Sequence, residues 1–219
     1  MKLDSVDISR TSSASAIVFE ALKKAIITGE LKDGDSLRQD EIANLFNTSR
    51  IPVREAISRL EELGLVTSQR YKGATVAGIA PSEVSEIFDF RAFLEGHVIE
   101  LAVPQMTKKT LETARGYCEE FVASSDPMTW GDLNRKFHST LYQSSGLEYH
   151  NTIIDSALDR VDRYLRAQLT LSDGMERANE EHIGILEACE KGNAQRASDL
   201  TRRHILDAKS TLIDHLNSK

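Results

Sequence analysis

The sequence predicts a mainly α protein with an N-terminal winged helix-turn-helix followed by an all-α helical-bundle domain. Three observations carry this. Residues 16–79 hold short amphipathic runs in the order helix, helix, turn, helix, hairpin. The third run, "SRIPVREAISRLEELG", has a proline in its first turn and arginines four residues apart beside it. Beyond "GIAPSE", near Gly78 to Pro81, no strand pattern recurs, and apolar residues follow the helical period to the end.

The first ~15 residues are polar and serine-rich and read as a flexible tail, residues 1–15. A helix follows from about Ala16 to Thr28, with Val18, Leu22, Ala25 and Ile26 on one face and Gly29 as its C-terminal stop. "LKDGDSL" is a turn. "QDEIANLF" is a second short helix with Ile42, Leu45 and Phe46 inward. "NTS" breaks it, and Ser49 is placed to cap the third helix. Pro52 is tolerated because the first turn of a helix has no use for its missing N–H. Val53, Ala56, Ile57, Leu60 and Leu63 form the inner face of that helix, and Gly64 ends it. Two β-prone runs, Leu65–Ser68 and Ala74–Ala77, flank "QRYKG" as a small hairpin. This gives a DNA-binding domain over residues 16–79 and a second domain over 80–219. Helices are expected there at about 81–103, 107–124, 127–145, 147–171, 174–191 and 193–217.

Composition narrows the function. The chain has 219 residues, 28% of them charged, with no signal-peptide pattern and no apolar run long enough to span a membrane. A cytoplasmic protein with reduced thiols is expected, Cys118 and Cys189 being half-buried on helices. Net charge is −7, but residues 1–79 balance 11 Lys+Arg against 11 Asp+Glu, so the whole excess lies in the second domain. Phosphate binding needs local positive charge more than a high overall charge, and the first third is less acidic than the rest, though not basic overall.

Arg50 and Arg54 share the outer face of the third helix with Ile51, Glu55 and Ser58, opposite the apolar set. Such a helix has the form of a recognition helix whose first turns reach base edges in the major groove. Arginine suits this because its planar fork donates two hydrogen bonds to guanine. Arg38 before the second helix, the hydroxyls of Thr48 and Ser49, and Arg70, Lys72 and Gly73 in the hairpin complete the expected contact set to double-stranded DNA. Glu61 and Glu62 would repel phosphate, so only the first two turns are expected to enter the groove.

The stretch "ITGELKDGDSLRQDEIANLFNTSRIPVREAISRLEELGLVTSQRYKGATVAGI" resembles the DNA-binding domain of the GntR family of bacterial transcription regulators. The all-helical remainder resembles the FCD effector domain of its FadR-type branch, and the likeness runs from about residue 16 to 215. Asp33 stands where the family often has proline, and Arg38 where it often has a serine cap.

The resemblance implies a divalent metal, zinc or nickel, held by His138, His182 and His204 from three different helices, with Asn134 as oxygen donor where aspartate is common. Asn134 and His138 are four apart and share a helix face. Imidazole nitrogens suit these ions and leave a coordination position open. It also implies that Arg91, four residues before Glu95, faces a pocket and pairs with the carboxylate of a small organic acid effector. Tyr142, Arg163 and Tyr164 are further lining candidates. No organic cofactor is expected. The reading is a homodimeric, metabolite-responsive regulator on a palindromic operator, a repressor and not an enzyme. Effector binding would shift the two reading heads. The alternatives are the same regulator with a metal-free dimerisation domain, or a metal-dependent hydrolase or lyase. The second leaves the winged helix unused and lacks a His-Glu-x-x-His pattern.

Overall fold

The computed structural model describes residues 13–69, 73–124, 126–169 and 174–217. The chain is mainly α and divides into two compact units, Met1–Gly78 and Ile79–Lys219. No helix among the described residues is long and apolar enough to cross a membrane.

The first unit contains α1 (Ala14–Ile27), β1 (Ser36–Leu37), α2 (Gln39–Leu45), α3 (Arg50–Glu62), β2 (Val66–Gln69) and β3 (Gly73–Val76). Helix α1 starts two residues before the apolar pattern because Ser13 caps it, its hydroxyl accepting from the Ala16 N–H at 3.2 Å. At its other end Gly29 takes a positive φ of 77°, which lets the Leu31 N–H reach the Ala25 carbonyl. Ser49 occupies the N-cap position of α3, yet its side chain makes no capping bond. The turn between α2 and α3 rests on Asn47, at φ 47°, a left-handed conformation that asparagine accepts more readily than most residues.

The core of this unit joins Val18, Phe19, Leu22 and Ile26 of α1 to Val53, Ala56, Ile57 and Leu60 of α3, with Ile42, Ala43, Leu65, Val66, Ala74 and Val76 around them. Two inward assignments change. Phe19 rather than Ala25 completes the buried stripe of α1. Leu45, expected inside, is 80% exposed. In a helix of seven residues centred on Ile42, the flank carrying Ala43 and Phe46 turns into the core and the flank carrying Leu45 turns out.

The three strands form one antiparallel sheet in the order β1–β3–β2, with Leu37 opposite Ala74 and Thr67 opposite Thr75. The hairpin strands sit one residue away from their expected bounds. Strand β1 has no sequence signal at all: "LKDGDSL" does turn, its Lys32 N–H donating to the Asp35 carboxylate at 2.7 Å, but its last two residues pair with β3. A two-residue strand is too short to show alternation.

The second unit holds α4 (Pro81–Ala102), α5 (Lys108–Ala123), α6 (Pro127–Gln143), α7 (Glu148–Leu169), α8 (Gly174–Glu190) and α9 (Ala194–Asn217). Pro104 sits in a short 3-10 turn, Val103–Gln105, directly after α4. Helices α4 and α9 pack at close range. Ser198 donates to the Gly96 carbonyl at 2.7 Å, and the Arg202 side chain lies where any Cβ on Gly96 would stand. Cys118 and Cys189 are free and fully buried, rather than half-buried, in the core shared by α4 to α9. Trp130 is half-buried against Phe121, and its indole N–H donates to the Ser124 carbonyl at 2.8 Å.

Candidate metal centre and nucleic-acid interface

On α3, Arg50, Ile51, Arg54, Glu55 and Ser58 are all exposed, on the side away from the buried residues Val53, Ala56, Ile57 and Leu60. The two flanking arginines, Arg50 and Arg38, have acidic neighbours. Arg50 lies 3.2 Å from Asp40, and Arg38 donates to Glu41 at 2.9 Å. These pairs are solvent-exposed and therefore weak, so a phosphate can displace them. Arg54 has no ion-pair partner among the described residues. Thr48 is half-buried and Ser49 exposed at the turn, and Gly73 is exposed at the start of β3. Arg70 and Lys72 lie outside the described residues. The third arginine of the helix, Arg59, is structural: its guanidinium sits 3.9 Å from the centroid of the Phe19 ring. Glu61 is occupied too, accepting from the Ser68 N–H and hydroxyl and so tying β2 to α3.

In the helical unit, His138 of α6, His182 of α8 and His204 of α9 are brought together in the core, with one nitrogen from each ring inside a 4.8 Å cluster. Their protonation follows from their neighbours. Tyr142 donates its one hydroxyl proton to Glu95 at 2.8 Å, so toward His138 Nδ1, at 3.2 Å, it offers only a lone pair. His138 therefore carries its proton on Nδ1. His204 Nδ1 lies 2.6 Å from a Glu181 carboxylate oxygen and must donate to it. His138, protonated at Nδ1, turns its bare Nε2 toward His204 Nε2 at 3.2 Å. His182 Nε2 is buried with no hydrogen-bond partner among the described residues. Burial, followed by the neighbouring imidazoles, holds His138 and His182 well below the usual histidine range, so both are neutral at pH 7. One nitrogen from each of three imidazoles, converging within 4.8 Å in the core, makes a donor set for a cation. The residues present fit a divalent metal of the zinc or nickel kind.

Asn134 lies one turn before His138, half-buried, and lines a cleft with His204, Glu181, Arg91, Arg177 and the apolar Leu165 and Ile205. Arg91 is 4% exposed. Its Nε donates to Glu95 at 2.7 Å, and its Nη1 is buried without a partner among the described residues. A buried guanidinium edge left unpaired costs about 1–3 kcal/mol, a cost that an anion in the cleft would remove. Glu95 stands behind Arg91 with both oxygens engaged, by Arg91 and by Tyr142, and does not line the cleft. Tyr164 packs in the apolar core between α4, α7 and α9. Nothing is described for the Arg163 or His215 side chains. His97 and His150 neighbour each other instead, ring centroids 6.4 Å apart. Asp132 is exposed and pairs with Arg166 at 2.7 Å.

Sequence reasoning passed over Glu181, the residue that orients His204, and left Tyr142 as one lining candidate among several. Both act across helices. Glu181 reaches His204 from α8 to α9, and Tyr142 joins Glu95 of α4 to His138.

The chain matches two family models. One is described as bacterial regulatory proteins of the gntR family, over residues 14–76. The other is the FCD domain, over residues 86–207. It is 28% identical over 206 residues to the uncharacterized HTH-type transcriptional regulator YdhC of Bacillus subtilis, covering 90% of this chain and 88% of that one. It is 27% identical over 198 residues to the HTH-type transcriptional repressor GlaR of Escherichia coli, covering 84% and 89%. Among solved structures, E. coli McbR/YncC superposes with a TM-score of 0.82 at 21% identity, over 94% of this chain and all of that one, a likeness of fold.

Proposed function

Because the chain belongs to the GntR family of bacterial regulators, in the branch that carries an FCD domain, we propose that it is a cytoplasmic, homodimeric repressor whose grip on a palindromic operator is set by a small carboxylate bound beside a divalent metal. The family is one of transcriptional regulators and not of enzymes, which removes the hydrolase or lyase reading. Arg50 and Arg54 read bases, while Arg38, Thr48, Ser49, Arg70, Lys72 and the Gly73 backbone hold phosphates. Repression is inferred by analogy with the E. coli relative GlaR, a transcriptional repressor.

One observation carries the ligand side of this reading. Three imidazoles converge in the helical unit, and one of them, His204, lines the same cleft as Arg91 with its unpaired N–H. Zinc or nickel held by His138, His182 and His204, with Asn134 as a neutral oxygen donor, would supply a Lewis-acidic position for a ligand oxygen. Arg91 would take the same ligand's carboxylate from the other side. Homodimerisation is supported by α4, on which Phe90, Phe93 and Leu101 lie on one face and stay 46%, 69% and 45% exposed. Phe93→Asp should convert a dimer to monomer in light scattering.

The test is metal content per chain on protein purified without chelator or metal column, followed by a screen of small carboxylates for release of operator DNA. About one equivalent of metal and carboxylate-dependent release are expected. Absence of metal after soaking with zinc and nickel would leave the metal-free dimerisation module as the reading.

A further inference from the structure

The outer face of α3 carries one apolar side chain, and it occupies the outermost position. Val53, Ala56, Ile57 and Leu60 define the buried stripe, and Ile51 lies about 170° round the helix from its centre. It is 59% exposed and belongs to no core cluster. Its neighbours on that face, Arg50, Arg54, Glu55 and Ser58, are all polar and exposed. Arg54 is about 60° away round the helix, and Arg50 is adjacent in sequence. A lone branched hydrocarbon ringed by charges does not suit an apolar protein surface, which would need several such residues side by side. It does suit a single methyl group surrounded by hydrogen-bonding base edges. In the major groove one base carries such a group, the C5-methyl of thymine.

We propose that Ile51 is a base-reading residue whose side chain packs against a thymine methyl next to the bases read by Arg50 and Arg54. The inference rests on α3 entering the major groove. Residue 51 is in the first turn of the helix, the part that reaches deepest, and Pro52 beside it pre-sets the backbone there. The arginines then supply discrimination through hydrogen bonds, and Ile51 supplies it through the apolar contact that a cytosine, having no methyl, cannot return. It specifies thymine at one position in each half-site without adding charge.

The test begins with selection of duplexes from a random-sequence pool by the full-length protein. Each thymine of the selected site is then replaced singly by deoxyuridine, which removes the methyl and leaves the hydrogen-bonding edge unchanged. Affinities are measured by fluorescence anisotropy at one fixed salt concentration for wild type and Ile51→Ala. One thymine per half-site is expected whose deoxyuridine form binds wild type about four-fold more weakly, the value of one buried methyl. The same replacement should leave Ile51→Ala unaffected, while Arg54→Ala keeps the methyl dependence. The exposure of Ile51 means that the variant should melt at the wild-type temperature. A selected site with no methyl-dependent thymine, or a methyl effect of equal size in Ile51→Ala, overturns the inference and leaves DNA reading by α3 intact. Failure to select any sequence overturns both.

Discussion

His138 Nε2 and His204 Nε2 face each other at 3.2 Å, while the opposite nitrogens of the two rings are engaged by Tyr142 and Glu181. Tyr142 holds the His138 ring from its Nδ1 side and Glu181 holds the His204 ring from its Nδ1 side. These two residues are therefore positioning groups for the metal ligands. Tyr142→Phe should lower metal affinity ~10–100-fold with the helical fold retained, as loss of such orienting partners does elsewhere. Glu181→Gln should act in the same direction through His204. Competition against a chromophoric chelator measures both. Wild-type affinity in the two variants would mean that the rings orient themselves without these partners.

Arg91 and Glu95 form a buried ion pair, 5% and 0% exposed at the side chain. Removing one partner leaves the other charge stranded away from water. Arg91→Met should cost about 3–5 kcal/mol of folding stability. Adding Glu95→Gln should recover most of it, since the glutamine still accepts from Tyr142 and carries no charge. Urea denaturation of the two variants decides the matter. A double variant no more stable than the single one would show that the loss is one of packing around Arg91.

Arg54 is exposed on the reading face and makes no ion pair among the described residues. Arg54→Ala should weaken specific operator binding by ~1–3 kcal/mol and relax the choice of base at one position per half-site. Binding to unrelated DNA should fall far less. Equal losses on specific and unrelated duplexes would make Arg54 a phosphate contact instead.

Burial pushes the Cys118 thiol up to about 11, against the opposing Arg115 charge and with some help from Glu119. Burial, with the Glu190 carboxylate, pushes Cys189 up to about 12. Both thiols are protonated in the folded protein at pH 8, and a protonated thiol is a poor nucleophile. A disulfide reagent at pH 8 should label neither cysteine until the protein is unfolded, and then both. The linkage has a fixed sign. Each raised pKa contributes stability that is complete below the ordinary thiol value of 9.0 and is lost as pH rises toward the folded values. Rapid labelling of the folded protein would show that the core around α5 and α8 opens readily.

Much of this protein is written locally in its chain. Helix period, Pro52 and Pro81 in first turns, and Gly29 and Gly64 after last turns act over four or five residues, and so the elements fall within a few residues of where the pattern puts them. The reading face of α3 is local as well, since one helix presents both its apolar and its polar sides. What only tertiary structure decided are relations between helices. The rotation of α2 sends Leu45 outward, and β1 exists because β3 lies alongside it. Glu181 meets His204, and Tyr142 meets both Glu95 and His138, because the bundle sets those helices at one depth and rotation. Sequence spacing along a helix carries the face of a side chain but not the identity of what stands opposite. The chain alone therefore named the three histidines through family likeness, and the fold supplied the partners that orient His138 and His204.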